Sequence, residues 1–137
     1  DYVTENELTN VKVGSRISKE SIPALLRSSD ICMAHLAIRG NEKAYQYGVS
    51  KNKVNEYLYS GACVLYGFHN KNDAVEKSES GFVFEPYNSK ELAEKIELIY
   101  NMTDSEYKQF GVNGAKYIMD NHHVTVLTDK LESILFD

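Results

Sequence analysis

The chain has 137 residues, 42% hydrophobic and 26% charged, a balance that suits a globular domain able to bury one core. Its formal net charge of −5 excludes functions that need a basic surface, nucleic-acid binding above all. No apolar run approaches the ~20 residues of a membrane-spanning helix, and no secretory leader is visible, so a cytoplasmic setting is expected.

In chain order, Val11 to Val13 is expected as a short strand after a polar lead-in. Ser18 is placed to cap a helix reaching Ser28, but Pro23 favours a later start with Ser21 as the cap, because proline is best tolerated in the first turn. Ile31 to Leu36 is apolar except at His35 and reads as a strand buried on both faces. The loop that follows, to Ser50, is long for a compact α/β unit, and such loops often carry function. Lys51 to Tyr59 is the next helix, with Val54, Tyr57 and Leu58 on its apolar face and Glu56 nearly opposite. Gly61 fits the left-handed position just past the helix end.

Cys63 to Phe68 is a second buried strand, Asn72 to Ser78 a short polar helix, and Gly81 to Phe84 a last strand closed by Pro86. Ser89 is then expected to cap an amphipathic helix with Leu92, Ala93, Ile96 and Ile99 on one stripe. Two further helices, about 105–121 and 124–135, complete the chain. Alternating strands and helices predict an α/β fold with a mostly parallel sheet. Cys32 and Cys63 each fall inside an apolar strand and read as buried free thiols.

Open parallel sheets bind ligands beyond the carboxyl ends of their strands, which puts His35, the 38–50 loop and His69 on the functional edge. Within that loop, Gly48-Val49-Ser50-Lys51-Asn52-Lys53 leads straight into a helix. Glycine allows close backbone approach, and Ser50 or Asn52 can cap. The unpaired N–H groups at the positive end of the helix dipole suit a phosphate. Lys53 would add positive charge, and Glu56 could accept hydrogen bonds from sugar or ribose hydroxyls; by periodicity alone Glu56 reads as a solvated surface residue. His122 and His123 point about 100° apart on a helix and cannot chelate together, so no metal site is expected. Gly111 to Gly114 does not follow a strand, as a dinucleotide fingerprint must.

The stretch from Tyr47 to Gly67 resembles the donor-binding segment of GT-B fold glycosyltransferases of the GT4 type. Glu56, Gly61 five residues later and the strand Cys63-Val64-Leu65 fall on that family's positions. The Gly48 to Lys53 loop is similar to the one before the second glutamate in bacterial surface-polysaccharide transferases. Gly48 stands where the family's Glu-x7-Glu motif has its first glutamate.

The resemblance spans nearly the whole chain and implies a Rossmann-like three-layer domain, the C-terminal half of a GT-B fold. By it, Glu56 would hold the ribose hydroxyls of a nucleotide-diphosphate sugar, with Gly48, Ser50, Lys51, Asn52 and Lys53 facing the diphosphate or sugar. Arg16 and Ile17 would lie beside the base. The full protein would transfer a sugar, with retention and without metal or cofactor, to a glycan or lipid-linked acceptor in surface-polysaccharide synthesis. It would work in the cytoplasm or peripherally at the inner face of the membrane.

The resemblance names no catalytic residue. It also implies that residues 1–137 are a fragment lacking the N-terminal acceptor domain and the first strand–helix unit, and inactive alone. A sheet edge left bare by that loss would favour a weak homodimer. The other reading the residues leave open is a non-catalytic nucleotide-binding module or transferase-like partner subunit. A receiver-like module is disfavoured, because Asp30 sits at the start of its strand and not at the carboxyl end.

Overall fold

The computed structural model of the protein describes residues 2–36, 52–68 and 73–136. Three strands, β1 (Ile31–His35), β2 (Cys63–Gly67) and β3 (Gly81–Val83), pair in parallel in the order β1-β2-β3. Parallel neighbours need crossover connections. The helix α3 (Asn52–Ser60) lies between β1 and β2 in the chain, and α4 (Ala74–Ser78) between β2 and β3. One turn of helix, α1 (Tyr2–Glu5), opens the chain, and α2 (Ile22–Arg27) precedes β1. Three longer helices, α5 (Ser89–Tyr100), α6 (Asp104–His122) and α7 (Val124–Phe136), follow the sheet.

Side chains alternate across a strand, so β2 feeds two cores. Val64 and Tyr66 join Ala34 on one face, under Val54 and Leu58 of α3, Val75 of α4 and Tyr117 and Ile118 of α6. Cys63 and Leu65 point to the other face, against Leu92 and Ile99 of α5, Phe84, and Tyr107 and Phe110 of α6. Every residue of β2 is buried, which is why its sequence is an unbroken apolar run. The architecture is α/β, a small parallel sheet with helices against both faces. Cys32 and Cys63 are free and buried, and their positions in the register put them on opposite faces of the sheet.

Helix ends follow local chemistry. Gly61 has φ +89°, the left-handed geometry expected of it. Helix α2 takes the later start, with Pro23 in its first turn. The Ser21 hydroxyl makes no cap hydrogen bond there and instead meets the Ser18 hydroxyl at 3.0 Å.

Four expectations need correction. Val11 to Val13 is not a strand: the stretch 11–18 has no regular structure, and Val13 is 73% exposed. A three-residue strand exists only where a neighbour offers a backbone ladder, and none of the described strands pairs with it. Strand β1 is not buried on both faces. It buries Cys32 and Ala34 but leaves Met33 51% exposed, because on that side of the strand only Ile31 packs into the cluster that holds Leu92 and Ile99 of α5. The cap of α5 is Asn88, whose side chain accepts from the Glu91 N–H, and not Ser89. The inward stripe of that helix runs through Leu92, Lys95 and Ile99, while Ala93 and Ile96 face outward.

Candidate functional site

The sheet positions Glu56 by burying the opposite side of its helix. Val54 and Leu58 drive α3 onto the sheet, and Glu56 is left exposed on the side that meets α2. A cavity of about 260 Å3 lies where α2 and α3 meet. Its apolar lining is Ile22, Pro23 and Leu26; its polar lining is Lys19, Arg27, Glu56, Tyr59 and Ser60. Ser60 is committed to the helix end, donating to the Tyr57 carbonyl at 2.7 Å and accepting from the Ala62 N–H at 3.3 Å. The polar groups left for a ligand are one carboxylate, two cations and the phenol of Tyr59, itself 60% exposed. Such a lining can take hydroxyl donors at Glu56 and anionic oxygens at Lys19 and Arg27 around an apolar body.

Two helix faces make this cavity. Lys19, Ile22, Pro23, Leu26 and Arg27 follow an i, i+3, i+4, i+7, i+8 spacing, and Glu56, Tyr59 and Ser60 follow i, i+3, i+4. That spacing makes Lys19, on the helical turn just before α2, and Arg27, at the end of α2, legible in the sequence as one side opposing α3.

The remaining expected donor-site residues do not gather around Glu56. Asn52 and Lys53 form the exposed start of α3 and do not line the cavity. Gly48, Ser50 and Lys51 lie outside the described residues, as do the whole 38–50 loop and His69. Arg16 and Ile17 are exposed in the irregular stretch before α2, and Ile17 retains 45% of its surface in solvent. The cavity also sits differently from the expected carboxyl edge. Arg27, Tyr59 and Ser60 come just before the starts of β1 and β2, so its lining reaches toward the amino ends of the strands.

At the carboxyl edge, His35 ends β1 among aromatic rings. It stacks on Phe84 with centroids 6.3 Å apart and an interplanar angle of 18°, and meets Tyr87 edge-on at 5.2 Å. Those rings line a second, smaller cavity of about 190 Å3 with Met33 and Leu92. Tyr87 holds a positive φ of 67°, uncommon for a residue with a side chain.

His122 and His123 close α6 separately. The His122 ring lies 5.7 Å from Tyr117, and His123 Nδ1 is 2.8 Å from the Thr125 hydroxyl. Among the described residues no three His, Cys, Asp or Glu side chains are grouped to hold a metal ion. No helix among them is long and apolar enough to cross a membrane. Comparison with known proteins gives no matching family model, no matching curated protein and no matching solved structure.

Proposed function

We propose that the chain is the Rossmann-like donor-binding domain of a GT-B fold glycosyltransferase, holding part of a nucleotide-diphosphate sugar in the cavity between α2 and α3. One observation carries this reading. The Glu56 carboxylate lines one cavity with two cations, Lys19 and Arg27, and with the apolar Ile22, Pro23 and Leu26. Ribose or sugar hydroxyls donate to Glu56, and phosphate oxygens accept from the Arg27 fork and the Lys19 ammonium. At about 260 Å3 the space is just below the ~300 Å3 of common ligand pockets, enough for one ring and not for a whole sugar nucleotide. The parallel β1–α3–β2 unit supports the reading, because it delivers Glu56 on a rigid element. In the intact enzyme, the sugar would pass to a glycan or lipid-linked acceptor in surface-polysaccharide synthesis. The cations would neutralise the departing diphosphate with charge already in place.

Titration calorimetry with uridine, guanosine and adenosine diphosphates tests this. One of the three binds, and Glu56→Ala weakens it by about tenfold, the loss of one hydrogen bond to a charged group at ~1.4 kcal/mol. Arg27→Ala weakens it at least as much. Equal affinity in the wild type and Glu56→Ala, or binding by none of the three, removes the assignment.

A further inference from the structure

Among the described residues, the helix α7 presents a run of exposed apolar side chains. Its 13 residues include no buried one. Val124 is 68% exposed, Leu127 47%, Leu131 55%, Ile134 78%, Leu135 62% and Phe136 82%. Four of these, at 124, 127, 131 and 134, are spaced three, four and three residues apart, the seam spacing of helices that pack side by side. A lone helix of this length is marginal in water, and so large an exposed apolar patch marks an interaction site in a folded chain.

Charge and area indicate the occupant. The polar side of α7 carries Asp129, Lys130 and Glu132, so it lacks the run of basic residues by which an amphipathic helix holds a lipid surface. Its small mixed charge lets two copies approach without strong repulsion. Five of the exposed apolar side chains, all but Phe136, share one side of the helix; exposing on the order of 100 Å2 each, they offer roughly 500 Å2 per copy, or about 1,000 Å2 for a pair, the size of a weak and transient contact. A symmetric contact uses the same patch twice and needs no second docking surface.

We propose that α7 pairs with α7 of a second copy of the chain across a twofold axis, making a weak dimer. This does not depend on the donor-site reading. It also differs from pairing at the β1 sheet edge.

Sedimentation velocity from micromolar to millimolar concentration tests it. The wild-type chain moves from monomer mass toward dimer mass as concentration rises. The double variant Leu127→Asp/Leu131→Asp stays monomeric over the same range with an unchanged helical circular-dichroism spectrum at low concentration, since neither residue is buried in the monomer. Met33→Lys, at the exposed edge strand, leaves dimerisation intact. A wild-type chain that stays monomeric, a dimer that survives in the double variant, or a dimer abolished by Met33→Lys overturns the proposal.

Discussion

Gly111 and Gly114 let α6 lie against the end of α3. A Cβ at position 114 would stand 2.6 Å from the Leu58 carbonyl oxygen, and one at 111 would overlap the backbone of Gly61. The obstacles are main-chain atoms, which cannot swing aside. Gly114→Ala therefore forces the two helices apart and lowers stability by about 1–3 kcal/mol, read as a lower denaturant midpoint at an unchanged slope. An unmoved midpoint would show that the contact is not needed. Gly61→Ala meets no atom within 4 Å; its cost of about 1 kcal/mol comes from φ +89° alone.

Two buried acids respond to pH. Burial, with the nearby Cys32, pushes the Cys63 thiol from an ordinary 9.0 up to about 12. Burial, with Asp73, pushes the Tyr66 phenol from 10.0 to about 12. A raised folded-state value means the neutral form is the one the fold accommodates. The associated stability is complete below the unfolded values and disappears as pH climbs through the folded ones. The melting temperature should hold steady near neutrality and fall between about pH 9 and about 12, with Cys63→Ala softening the start of the decline. A flat melting temperature across that window would contradict the burial of both groups.

Helix ends were partly readable. Thr103 and Glu106 form a reciprocal cap on α6: Glu106 N–H donates to the Thr103 hydroxyl at 3.3 Å, and Thr103 N–H donates to the Glu106 carboxylate at 2.9 Å. Thr103→Ala should cost about 1 kcal/mol, roughly 3 °C in melting temperature for a domain of this size. A melting temperature equal to wild type would show that α6 is held by packing alone. The bonds to Thr103 hold the Glu106 carboxyl below the usual carboxylate range. A depressed value places its contribution above the unfolded pKa, and acid removes it as pH falls through the folded one.

Helices α3, α6 and α7 could be placed from their apolar spacing, and β2 and β3 from short runs bounded by glycine and proline. Val11 to Val13 could not, because composition does not say whether a partner strand is at hand. The open face of β1 was equally hidden. Ile31 to Leu36 and Cys63 to Phe68 look alike as strings, and only the order β1-β2-β3 makes one an edge and the other a centre.

The same asymmetry governs the molecule and its candidate site. The position of Glu56 opposite Val54 and Leu58 made it legible only as a solvent-facing residue, and its neighbours across the cavity depend on how two helices pack, which no single-helix pattern contains. Sheet position likewise separates two residues that face each other in register. Met33 and Leu65 are paired positions on the same side of adjacent strands, yet Leu65 is 1% exposed under α5 and Phe84 while Met33 is 51% exposed. Truncating Leu65 empties space that Phe84, α5 and α6 share on that face of the sheet, so Leu65→Ala should cost about 2–5 kcal/mol. Truncating Met33 removes atoms already half in water, and Met33→Ala should cost less than about 1 kcal/mol. Urea unfolding of the two variants beside the wild type measures the difference directly. Similar losses for both would mean that a partner or another segment covers the β1 face in solution, and an edge strand left open would then no longer describe the protein.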